Sequence, residues 1–320
     1  MKLIRYIIAL TSVIIFSLPV MVWASCAFTG GATSEISGYV TFGNVSVQRD
    51  APVGSVLATA TTGAYNGGQA IAGCSESWTY RWELSKWTTL SSQSNKVYNT
   101  NIAGVGIRLT NTASGKLLPY DQSMGTGSVV VNADGIKAEL IKTGDITGGT
   151  LNTGMLARAS VANQFYFANV TLNGSNTITS ESCTVTTNPV NVSLDSHDKD
   201  EFSGVGTTTT WKTFDIGLNC NKGARINVRI DPAAGAVDNM TDVMKLDDAG
   251  SGTTASGVGV QLWFRPNGGS AVKFGQETFY WTSSSGGSET VQLQARYYQT
   301  AQPITPGVAN ATATFTLTYK

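Results

Sequence analysis

The chain ends on "NATATFTLTYK", Asn310 to Lys320. Apolar side chains fall at Ala311, Ala313, Phe315, Leu317 and Tyr319, and Thr312, Thr314, Thr316, Thr318 and Lys320 take the alternate places. A period of two is the pattern of a β-strand with one buried face. No turn or polar tail follows to protect it, and an exposed strand edge invites pairing with another chain. The expectation is an edge strand that something else must cover.

The same alternation recurs upstream. In "SWTYRWEL", Trp78, Tyr80, Trp82 and Leu84 share one face while Thr79, Arg81 and Glu83 share the other. "FDIGLNC" puts Phe214, Ile216, Leu218 and Cys220 on one side, and "GVGVQLWF" does the same with Val258, Val260, Leu262 and Phe264. Helical periodicity is almost absent, and clusters of Gly, Ser, Asn and Thr separate the short segments, as in all-β sandwiches. A length of 320 residues suits two such domains. The alternating "ANVTLNG" gives way to the polar "SNTITSESC", placing a hinge within Gly174 to Ser182 and dividing the chain into 25–176 and 177–320.

Lys2 and Arg5 precede an apolar run ending in small residues, with Val22 and Ala24 at the −3 and −1 positions of a cleavage site. Residues 1–24 read as a secretory signal peptide. Charged residues make up 13% of the chain, with 21 basic against 21 acidic side chains. Without a basic excess there is no electrostatic footprint for nucleic acid. Cys26, Cys74, Cys183 and Cys220 are the only cysteines, and in an oxidising compartment an even count implies disulfides. Two lie in each half, so Cys26–Cys74 and Cys183–Cys220 each staple one domain, at roughly 4 kcal/mol per closed loop. No metal or other cofactor is implied: there is no CxxC spacing, and the single histidine, His197, has no neighbouring cysteine.

From the third cysteine onward, "NPVNVSL", "FDIGLNC", "GVGVQL" and the ending "VQLQARYYQTAQPITPGVANATATFTLTYK" resemble the pilin domain of chaperone–usher fimbrial subunits. The resemblance implies an incomplete immunoglobulin-like sandwich whose missing strand another chain donates. The donors would be a periplasmic chaperone first and the next fimbrial subunit afterwards, with an outer-membrane usher as assembly site. Phe315, Leu317 and Tyr319 would flank the open groove, and the carboxylate of Lys320 would be the chaperone's anchor point. Where a rod subunit carries a short donor extension, this chain has a whole further domain, an arrangement similar to a two-domain tip adhesin. Cys26 and Cys74 resemble the disulfide of adhesin lectin domains, and "VQRDAPVGSVL" and "NTNIAGVGIRL" are similar to type 3 fimbrial adhesins. The implied role is attachment from a fimbrial tip at the bacterial surface, after export through the periplasm. The receptor would be a host glycan or an extracellular-matrix protein such as collagen. Ser75 and Glu76 after the second cysteine lack the acidic and amide cluster of mannose binders. A minor structural subunit or assembly initiator without a host receptor is the alternative.

Recognition sites pair aromatic surfaces with directed polar groups. Strict alternation assigns Trp78, Tyr80 and Trp82 to the core, whereas Trp87 breaks the pattern in "LSKWTTL". Arg108 lies opposite Ile107 and Leu109, facing a cleft or solvent. Tyr166 stands between Phe165 and Phe167, and Tyr98 and Asp121 fall in turn-rich segments expected to form loops. These five are the receptor-contact candidates. Catalysis is not expected. His197 in "DSHDKDE" and Asp242, Asp247 and Asp248 in "DVMKLDDAG" read as surface charge, without a nucleophile–base pair or a calcium-loop order.

Overall fold

The computed structural model describes residues 26–320, so the signal peptide expected over 1–24 lies outside the described residues. Strand follows strand, interrupted by single-turn helical segments at Tyr65–Gly68, Lys199–Glu201 and Pro266–Gly268. The first sandwich has one sheet ordered Tyr120–Met124, Trp78–Leu84, Gly154–Val161, Phe165–Leu172, Ile36–Val40, and a second ordered Val56–Thr61, Ile136–Lys142, Val105–Asn111, Tyr98–Asn99. Both feed one core, in which Trp82, Phe167, Leu140 and Ile136 are buried completely or nearly so. Gly38 is required where it stands, because a Cβ there would fall 2.3 Å from the Tyr65 hydroxyl. The Tyr65 ring packs across that gap and donates to the Asn169 carbonyl at 2.8 Å.

Two parallel pairings follow one another along the chain. Ile36–Val40 pairs with Phe165–Leu172, and Gly43–Gln48 then pairs with Asn176–Glu181. Asn176–Glu181 pairs within the first sandwich and Cys183–Val185 within the second, with Ser182 between them. The Cys26–Cys74 and Cys183–Cys220 disulfides each close within one sandwich.

The second sandwich packs the sheet Cys183–Val185, Lys212–Cys220, Gly287–Gln299, Val258–Phe264, Val243–Met244 against a smaller one of Thr278–Thr282, Arg225–Pro232 and Ala313–Tyr319. The C-terminal strand pairs with Arg225–Pro232, and its other edge carries no strand among the described residues. Its Phe315 and Leu317 are only partly buried. Residues 188–198 also run without strand pairing, although Val190 and Leu194 pack on the same core. Tyr319 departs from the expectation for a groove-lining residue. It is fully buried, and its hydroxyl donates to the Cys183 carbonyl at 3.0 Å, because the strand's last side chain tucks under the disulfide strand.

Candidate functional site

Strand register assembles a polar face on the five-stranded sheet of the first sandwich. One row crosses four strands through the pairs Asp121 and Arg81, Arg81 and Ser160, Ser160 and Tyr166. The adjacent row joins Glu83 to Arg158, Arg158 to Asn169 and Asn169 to Ser37. Side chains alternate across a strand, so burying Trp78, Tyr80 and Trp82 forces Thr79, Arg81 and Glu83 outward.

The groups on this face are mutually satisfied. Arg81 donates two hydrogen bonds to Asp121, both at 2.8 Å, and Arg158 donates to Glu35 at 2.8 and 2.6 Å. The Arg158 guanidinium also lies 3.7 Å from the centre of the Tyr166 ring. The Tyr166 hydroxyl donates to Glu83 at 2.6 Å, and the Asn169 amide donates to Glu35 at 2.9 Å. The Arg158 hydrogen bonds hold the Glu35 carboxyl below its ordinary range; burial pushes the other way, and Asn169 adds to the lowering. The hydrogen bond to Glu83 raises the Tyr166 phenol, and that to Asp121 raises the Arg81 guanidinium. Forked arginine–carboxylate pairs fix their partners in a plane, so the face presents rigid donors and acceptors around the exposed Tyr166 ring, and Tyr39, 55% exposed and outward like Ser37 on the same strand, adds a second ring. That arrangement suits recognition, and it contains no nucleophile with an adjacent base.

The candidates from sequence divide accordingly. Tyr166, 37% exposed, and Asp121 share this face, although Asp121 sits in a strand rather than in the expected loop. Arg108 lies on the opposite sheet, ion-paired to Glu139 at 3.0 Å. Trp87 stands just past the end of its strand with φ of 53° and packs partly on the core beneath Lys86. Tyr98 is a correction: pairing with Ile107 draws it into a short strand, and only 8% of it remains exposed. Glu35, Arg81, Glu83, Arg158 and Asn169 were not singled out from sequence. The outward alternation of Arg81 and Glu83 was the available signal, and the others come into place through long-range pairing. His197 is engaged locally, its ring nitrogens each 2.9 Å from Glu201 Oε2 and the Leu194 carbonyl. Among the described residues no group of three or more His, Cys, Asp or Glu is placed to hold a metal ion.

Two family profiles match the chain: "Fimbrial protein" over residues 172–320 and "MrkD-like receptor binding domain" over 39–181. A fimbria adhesin protein of Klebsiella pneumoniae is 29% identical over 315 residues, spanning 93% of this chain and 94% of the relative. The fimbrial subunit type 1 of Salmonella typhimurium is 34% identical over 143 residues, 43% of this chain and 76% of its own. Among solved structures, the receptor binding domain of the K. pneumoniae adhesin MrkD1P aligns with 26% identity and a TM-score of 0.41, covering 51% of this chain and 99% of that one. The CupB6 tip adhesin from Pseudomonas aeruginosa aligns at 16% identity and a TM-score of 0.41, covering 92% and 94%.

Proposed function

The chain belongs to the fimbrial proteins, as a chaperone–usher fimbrial adhesin with a receptor-binding domain rather than an enzyme, and from that premise we propose how its two halves divide the work. The first sandwich binds a host glycan or an extracellular-matrix protein through the face around Tyr166, Arg158, Glu83, Arg81 and Asp121. The second takes a strand from a partner along the free edge of Ala313–Tyr319. A periplasmic chaperone supplies that strand first, with the Lys320 carboxylate as its anchor. The next subunit replaces it at the outer-membrane usher, leaving the adhesin at the fimbrial tip.

The observation that supports this most is the pairing of the C-terminal strand on one side only, in a sandwich where residues 188–198 pack on the same core without strand pairing. A free strand edge with half-buried Phe315 and Leu317 along it is a receptor for β-strand addition. Left open, such a groove exposes backbone polar groups and apolar side chains together.

Deletion of residues 311–320 tests the assembly half. The truncated protein is expected to disappear from the periplasm and from fimbriae, and normal accumulation with fibre incorporation would refute the strand-addition reading. Binding of the full chain, held in its chaperone complex, to arrays of host glycans and matrix proteins tests the other half. Silence across both arrays would favour a structural subunit.

A further inference from the structure

Residues Gln48, Arg49 and Asp50, at the end of Gly43–Gln48, leave the first sandwich and grip the second. The Gln48 side chain donates to the Gly223 carbonyl at 3.0 Å and accepts the Arg225 N–H at 2.8 Å, seizing the start of Arg225–Pro232. The Arg49 N–H donates to the Glu181 carbonyl at 3.0 Å, and its guanidinium lies 4.6 Å from the centre of the Tyr319 ring. Asp50 takes both backbone groups of Tyr319: its N–H donates to the Tyr319 carbonyl, and its Oδ2 accepts the Tyr319 N–H, each at 2.9 Å.

Which edge of the C-terminal strand Asp50 occupies follows from the register. Ile226 stands opposite Tyr319, yet the amide groups of Tyr319 are bonded to Asp50. This is therefore a non-hydrogen-bonded pair of the antiparallel ladder, with the Tyr319 N–H and C=O directed away from Arg225–Pro232. By the alternation of the ladder, Leu317, Phe315 and Ala313 direct theirs the same way, toward the edge that the proposed function leaves for an incoming strand. Asp50 fills the last rung of that edge and leaves three open. Buried polar atoms on a filled rung are costly to strip of partners, so a strand cannot displace Asp50 without offering equal hydrogen bonds.

We propose that Asp50, held in place by Gln48 and Arg49, is the stop that ends strand addition at Leu317, so that the first domain fixes the register in which the chaperone's strand pairs with the second. The inference rests on the strand-addition reading above and adds a limit to it. It also gives the segment "VQRDAPVGSVL" a role at the domain junction.

The full chain is purified with its chaperone, and hydrogen exchange is read at single residues on both proteins. In the wild-type complex the amides of Phe315 and Leu317 are slowed, while the chaperone amide one rung beyond Leu317 exchanges at the unprotected rate. Asp50→Pro removes the carboxylate and the backbone N–H together and so opens that rung, and the same chaperone amide slows by about tenfold or more as pairing extends to Tyr319. Asp50→Asn keeps both the acceptor and the N–H and leaves it fast, and Gln48→Ala with Arg49→Ala, which withdraws the support of Asp50, is read in place of the proline variant if that yields no complex. A chaperone amide already slow in the wild type, or equally fast after Asp50→Pro, overturns the stop. Free exchange at Phe315 and Leu317 is a different failure, since it removes strand addition itself.

Discussion

The Tyr166 ring is held from two sides of its chemistry: Arg158 covers one face and Glu83 accepts the hydroxyl proton. Tyr166→Phe removes only the oxygen. Receptor binding is expected to weaken about three- to tenfold, the loss of one hydrogen-bonding group at an interface. The thermal midpoint should not move, and a binding titration beside a melting curve checks both. Arg108→Ala, on the opposite sheet, should leave binding unchanged. If it alone impairs binding, the receptor face is the other one. Glu35 offers a test in pH. Its carboxyl is depressed in the folded protein, first by Arg158, with burial opposing. A depressed carboxylate stabilises the fold above its unfolded pKa and loses that contribution as pH falls through the folded value. Glu35→Gln should therefore lower the unfolding midpoint at pH 7 and converge with the wild type as pH falls below the depressed folded value. A difference that stays constant with pH would show that the pair with Arg158 contributes no net stability.

Strands were the most legible feature of the sequence, and their partners the least. Trp78, Tyr80, Trp82, Ile216, Leu218, Cys220, Val260, Leu262 and Phe264 are all buried as alternation expects, since period two reports directly on a half-buried strand. Register carries no such local mark. Arg81 meets Asp121, and Arg158 meets Glu35, through contacts distant in sequence, so the polar face stayed scattered until the sheets were assembled. Tyr98 was misplaced for the opposite reason: a two-residue strand is too short to show a period. Core positions on these strands should behave as packed interior. Phe167→Ala, at a fully buried site, is expected to cost about 3–5 kcal/mol, measured by denaturant unfolding. Replacing Cys183 and Cys220 together with alanine reopens a loop with a sequence separation of 37. This should cost about 2–5 kcal/mol, with the chaperone-bound yield falling accordingly.

The two sandwiches are joined by more than a tether. One residue, Ser182, separates Asn176–Glu181 from Cys183–Val185, and the Gln48–Asp50 grip lies beside it. An adhesin gains from avidity when many fibres engage at once, and under the proposed function each single bond would transmit load from the first sandwich through this junction into the second. With Gln48 and Asp50 bonded across it and Arg49 against the Tyr319 ring, the junction resists bending. Gln48→Ala combined with Asp50→Ala removes three of its hydrogen bonds while leaving Ser182 and both cores intact. In solution scattering from the chaperone-bound protein, the double variant is expected to show a broader distance distribution and a larger maximum dimension than the wild type, with an unchanged melting profile for each sandwich. Identical scattering curves would mean that the short connection alone sets the angle between the domains and that the grip adds no stiffness.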